Sequence, residues 1–173
     1  NPEAMFVRGK AELAVGNAEV AIEALRDAVA ARPYWGQAHF VLGSALLLAE
    51  DLHRARAELA RAVELNPGLR PARKLLVRVH SGLGEHEYAI QNARRYLAQD
   101  PADTEVRILM AQSMVRLAMF DEARVVLEEI PEEERSVETL FAVGRVAMAQ
   151  GEIAEARQAF LLAAKERPSD PSI

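Results

Sequence analysis

Residues 39–67 read HFVLGSALLLAEDLHRARAELARAVELNP. The first twelve, HFVLGSALLLAE, are apolar on most sides, as a helix packed between neighbours must be. Asp51 then stands where an N-cap is wanted, its carboxylate ready to accept from the free amides of a second helix. That helix carries Ala55, Leu59 and Ala62 at i, i+4, i+7 spacing, and Pro67 closes it because proline cannot continue the hydrogen-bond ladder. Outward from this stretch the pattern recurs. AVAARP, AVELNP and YLAQDP place Pro33, Pro67 and Pro101 34 residues apart, and Ala21, Ala55 and Ala89 each lie twelve before their proline. Ala156 stands twelve before Pro168, but Pro101 and Pro168 are 67 apart, so one unit has lost a residue. Self-similarity at this period marks a repeat array of helical hairpins, and no segment alternates as a strand does.

The turns between paired helices read VGNAE, AEDLH, GLGEH, MFD and QGEIA, with Asn17 and Asp121 expected to cap as Asp51 does. TLFAVGRVAMAQ, residues 139–150, is expected to be apolar on most sides like its counterpart at 39–50. Gly9, Gly43 and Gly144 are spaced for close helix crossing.

Composition narrows the function classes. The 173 residues are 50% apolar and 27% charged, with a formal net charge of -5, which disfavours general binding to nucleic acid or anionic membrane. Absence of Cys removes disulfides, thiolate metal sites and Cys nucleophiles. The longest apolar run, Phe40 to Ala49, is half the length a spanning helix needs. His39 and His80 fall where bulky residues pack, so burial is expected for them, whereas His53 and His86 are expected near solvent at the start of second helices. No His-x-x-x-His pair, nucleophile elbow or phosphate-cradling glycine loop occurs. Glu132-Glu133-Glu134 reads as a solvated loop. The expectation is therefore no enzyme, no cofactor and no metal.

These residues resemble the tetratricopeptide repeat. Unit two matches its pattern as His39-x-x-Leu42-Gly43-x-x-Leu46, Ala55-x-x-x-Leu59, Pro67, and unit five as Leu140-x-x-Val143-Gly144-x-x-Ala147, Ala156-x-x-x-Phe160, Pro168. Unit one keeps Gly9, Ala21, Leu25, Ala28 and Pro33, with Arg8 where Leu is usual. Unit three keeps Leu76, Ala89 and Pro101, with Val77 for Gly. Unit four keeps Met110, Ala111 and Ala123, but Pro131 comes early. The resemblance implies an all-α, right-handed superhelical solenoid of five helix-turn-helix units, at 2–35, 36–69, 70–103, 104–136 and 137–170, forming a single array over 1–173. Both ends fall at nearly the same repeat phase and no polar capping helix is visible after Arg167, so a window cut from a longer array is expected.

In that family the first helix of each unit lines a concave surface, with ligand contacts at its fifth and ninth positions. Here the fifth positions are Phe6, Phe40, Lys74, Ile108 and Phe141, and the ninth are Lys10, Ser44, Arg78, Gln112 and Arg145. Four apart, each pair shares a helix face. The charged members are all basic, which suits a protein or peptide segment with apolar anchors and carboxylates. Lys74 and Arg78 match the basic pair with which co-chaperone repeats clamp a C-terminal carboxylate, although Phe6, Lys10 and Ser44 depart from the rest of that clamp. The competing reading has the rings packing on adjacent helices and the cations solvated. The chain is then a structural spacer in a larger envelope, secretion or exopolysaccharide-export protein of a bacterium. Nucleic-acid binding by an RNA-reading repeat would want a basic chain. Direct membrane insertion is not expected, and exposed end faces leave end-to-end self-association open. Compartment is not legible.

Overall fold

A computed structural model describes residues 1–166, and among these the chain is all-α with no strand. Ten helices run as pairs: α1 (Pro2–Ala14) and α2 (Ala18–Ala31), α3 (Gly36–Leu48) and α4 (Leu52–Leu65), α5 (Arg70–Gly82) and α6 (His86–Leu97), α7 (Thr104–Arg116) and α8 (Phe120–Glu128), α9 (Val137–Gln150) and α10 (Ile153–Glu166). A 3-10 turn at Glu132–Glu134 stands between α8 and α9, and Glu132, Glu133 and Glu134 are exposed there. The helix pairs fall in the five sequence units. Pro168, the end of unit five and the region after Arg167 lie outside the described residues.

The chain divides into two compact units, Asn1–Glu85 and the residues from His86 on, parting inside the third sequence unit between α5 and α6. In the first, each helix packs on the next, and α3 also touches α1 and α5. Leu25, Leu42, Leu46, Leu59 and Leu76 are buried among Ala21, Ala45, Ala55 and Ala62. Small residues opposite leucines let the backbones approach. The tightest approach explains the glycine of the motif: a Cβ on Gly43 would lie 2.7 Å from Leu59 Cγ, and one on Gly144 2.6 Å from Phe160 Cε1. In the second unit α7 packs on α6, α8 and α9, and α9 on α10. α9 leaves Phe141 and Met148 exposed, and α3 leaves Leu48 exposed.

Two periodic devices hold the hairpins. Gly16, Glu50, Gly84, Ala118 and Gly151, the turn residues after each first helix, all adopt positive φ, between 58° and 84°. Their spacing is 34 until the last step, which is 33, so the lost residue falls between Ala118 and Gly151. The second device ties units two, three and four to the proline before each. His39 Nε2 lies 3.0 Å from Pro33 O, Arg73 Nη2 donates to Pro67 O at 3.4 Å, and Arg107 donates to Pro101 O through Nη2 at 2.7 Å and Nε at 3.0 Å. A turn carbonyl just past a helix thus gains a donor.

Two expected caps differ. Asp51 accepts from Arg54 N at 3.1 Å as expected. Asn17 occupies the N-cap position but its side chain instead donates to Glu12 at 2.8 Å. Asp121 is not a cap: α8 starts two residues earlier than that would require, at Phe120 with Met119 at its N-cap, so Asp121 lies inside the first turn and accepts from Gln150 Nε2 at 2.7 Å. His86 is half-buried rather than near solvent, its Nδ1 enclosed, because it opens α6 flush with the packed surface.

Candidate functional site

The first helices of the first unit lie side by side in the order α1, α3, α5. Phe6 and Lys10, Phe40 and Ser44, and Lys74 and Arg78 therefore occupy equivalent turns of neighbouring helices. Phe6 is half-buried, its ring 4.5 Å from that of Trp35 at a tilt of 39°, and Lys10 Nζ stands 5.7 Å from the Phe6 centroid. Arg32 covers the other aromatic at 5.3 Å and pairs with Glu3. Phe40 packs against the leucine core with its edge open, and the Ser44 hydroxyl donates back to Phe40 O at 2.9 Å. Lys74 is half-buried and Arg78 exposed. Among these six positions the charged side chains, Lys10, Lys74 and Arg78, are all cations, in a chain of net charge -5.

The second unit is organised differently. Ile108 is 8% exposed, turned into the packing where α9 lies on α7, and so offers little to a partner. Gln112 and Arg145 come together, lining one shallow cleft with Ala111 and Ala142. Phe141 is 41% exposed, with its ring 5.8 Å from that of Phe160.

Trp35, Tyr34 and Arg32 belong to the first unit's aromatic cluster but occupy no motif position. The run Arg32-Pro33-Tyr34-Trp35, two adjacent aromatics in a chain only 5% aromatic, was the available signal. Arg61 stands 5.6 Å over Tyr34.

The buried histidines bind carboxylates. His39 Nδ1 lies 2.6 Å from Glu58, and His80 Nδ1 2.6 Å from Glu85, which also pairs with Arg56. Burial pushes the Glu85 carboxyl up, but the His80 hydrogen bond and the charge of Arg56 outweigh it and hold it below the usual carboxylate range. Among the described residues no three His, Cys, Asp or Glu are grouped to hold a metal ion, and no helix is long and apolar enough to cross a membrane.

Two tetratricopeptide repeat family models match the chain, over residues 6–70 and 82–143. No curated protein matches it. Among solved structures it is similar to MamA from Desulfovibrio magneticus RS-1, with a TM-score of 0.89 at 16% identity over 99% of this chain and 97% of that one. A crystal structure of MamA protein gives 0.87 at 18% identity, covering 95% and 91%. A double mutant of MamA RS-1 gives 0.86 at 15%, covering 95% and 93%. At such identity the likeness is one of fold. Paired helices, glycine-leucine crossings and two family matches agree: the chain belongs to the tetratricopeptide repeat family, and its fold is that of a protein–protein interaction scaffold.

Proposed function

We propose that the first-helix face of the first unit binds a peptide or protein segment carrying apolar anchors and carboxylates. The observation that supports this reading is that α1, α3 and α5 are neighbours, with Lys10 beside the Phe6 ring on α1, Phe40 on α3, and Lys74 and Arg78 on α5. Ring edges give an apolar side chain somewhere to bury, and the cations set the sign of what lies beside it. Within the second unit, taken by itself, Gln112, Phe141 and Arg145 offer a similar mix of polar, aromatic and basic side chains. Catalysis has no part in it.

An array of synthetic peptides that alternate Leu or Phe with Asp or Glu tests the reading. Lys74→Ala with Arg78→Ala should weaken capture of acidic apolar peptides while far-UV circular dichroism stays unchanged. A charge-assisted contact is worth about 1.5–3 kcal/mol, and Arg78 is exposed, so the lower end is expected. Equal capture by both proteins would refute the assignment. The spacer reading draws on a separate observation: Phe6 is already stacked on Trp35, and the Ser44 hydroxyl already bonded to Phe40 O. No saturable capture of any peptide would favour it.

A further inference from the structure

The lost residue leaves a mark on the second unit. α8 has 9 residues, whereas α2, α4 and α10 have 14 each. Five helical residues span roughly 7.5 Å, so more than a turn of packing surface is missing past Glu128. Ile130, Pro131 and the 3-10 turn stand there instead, and only Ile130 is buried. Beside this turn, between it and the α9–α10 hairpin, lies a cavity of about 430 Å³. Leu140, Val143, Ala159 and the partly exposed Leu162 give its apolar lining, with Gln158 beside them. A neighbouring hollow of about 290 Å³ shares Val143 and Glu155 with it and reaches Leu127 and Val146. Ligand pockets typically span roughly 300–1,000 Å³, so the space admits a large side chain with room beside it.

The rim has a definite sign. Glu132, Glu155 and Glu166 border the first cavity and Glu128 the second, facing Arg135 and Arg124. Both guanidiniums are engaged. Arg124 donates to Glu155 Oε2 at 3.1 Å and to Gln150 Oε1 at 2.7 Å and pairs with Glu152, while Arg135 Nε donates to Ile130 O at 3.2 Å. Glu155 pairs with Arg124 and Glu132 with Arg135, the latter at 3.9 Å, and Glu128 and Glu166 add two further negative charges, so the rim is acidic on balance.

We infer that this cavity is a second docking site, and that its occupant is a partner peptide with a leucine-sized or aromatic side chain flanked by Lys or Arg. The apolar side chains of the cavity take the anchor, and the solvent-exposed rim carboxylates select the flanking cations by charge. The charge it selects is opposite to that of the first-helix face. Failure of either site is therefore visible separately.

The probe is a fluorescein-labelled peptide alternating Leu and Lys, with a Leu–Glu twin as control, read by anisotropy on the full chain. Glu132→Lys with Glu166→Lys, both exposed positions, should weaken the Leu–Lys peptide about tenfold or more, equivalent to 1.4 kcal/mol per tenfold. Glu19→Lys with Glu23→Lys on α2, which changes net charge equally, should do far less. Leu162→Ser should also loosen binding, and the methyl NMR signals of Leu140 and Leu162 should shift on titration. The inference is overturned if the Leu–Glu twin binds as well, if both charge-reversed pairs weaken binding alike, if the Leu140 methyls stay still, or if binding appears only after residues 167–173 are removed, which would make the chain's own end the occupant.

Discussion

Replacing Gly43 with Ala reverses the usual sign of a glycine-to-alanine change in a helix. In an open helix interior alanine is favoured by about 0.5–1 kcal/mol. At Gly43 the added Cβ would stand 2.7 Å from Leu59 Cγ, 2.9 Å from Cδ2 and 3.3 Å from the Leu59 backbone N. Leu59 is fully buried, so neither its branch point nor its backbone can withdraw cheaply. Overpacking of this kind costs about 1–3 kcal/mol. The net is therefore a loss of up to about 2.5 kcal/mol, or a fall of up to about 10 °C in Tm for a chain of this size. Gly82→Ala supplies the control: it is an exposed helical position whose Cβ would meet Leu52 Cδ1 at an adjustable 3.3 Å, so it should be neutral or stabilising. Urea unfolding followed at the helix band measures both. A double-mutant cycle with Leu59→Ala completes the assay, because shortening Leu59 makes room for the new methyl and the two changes should fall short of additivity by about 1 kcal/mol or more. If Gly43→Ala stabilises as Gly82→Ala does, or adds fully to Leu59→Ala, the close-crossing account of the motif glycine is wrong.

Ala118 holds φ at 58°, a conformation that disfavours a side chain by about 1–2 kcal/mol. Ala118→Gly should raise the urea midpoint, the gain reduced by the extra freedom of glycine in the unfolded chain. Arg107→Met strips Pro101 O of two donors and Glu129 of its cation at a side chain only 11% exposed, and should cost about 1–3 kcal/mol; Arg107→Lys should recover little, since one ammonium cannot reproduce the fork. Glu85 is held below the usual carboxylate range in the folded chain, so its contribution is present above the unfolded value, about 4.5, and is lost as pH falls through the lower folded value. Glu85→Gln should therefore lower stability at neutral pH and flatten the decline below about pH 4.5, as measured by the urea midpoint against pH.

The fold was legible because each periodic residue answers a packing demand that recurs with the hairpin. Gly43 must clear Leu59, Ala55 must lie against a neighbouring helix, and Pro67 must stop one. Asp121 misled because an acidic residue is favoured both at an N-cap and in the first turn, where the helix dipole welcomes it. The site was legible only in part. Periodicity places Phe6 and Phe40 on one face, but how deep that face sits depends on the neighbouring helix, and α9 lies close enough on α7 to bury Ile108. Trp35 escaped because it lies between helices, where no period constrains it and only tertiary contact with Phe6 gives it a role.

The missing residue of unit four shows how far such an array can bend its own rule. A deletion inside a helix turns every later side chain by 100°, and Leu127 could not then remain buried. Here the loss falls at the end of α8, after Ala123 and Leu127 have already reached the core. Ile130 folds back into the interior just beyond, and Arg135 donates to Ile130 O where Arg107 serves Pro101 in the unit before. The bond between junction and next hairpin is therefore rebuilt with other residues. Gly144 still meets Phe160 sixteen positions on, as Gly43 meets Leu59. Because each hairpin is bound by its neighbours alone, the irregularity stops within one unit. What it leaves behind is the hollow beside α9 and α10.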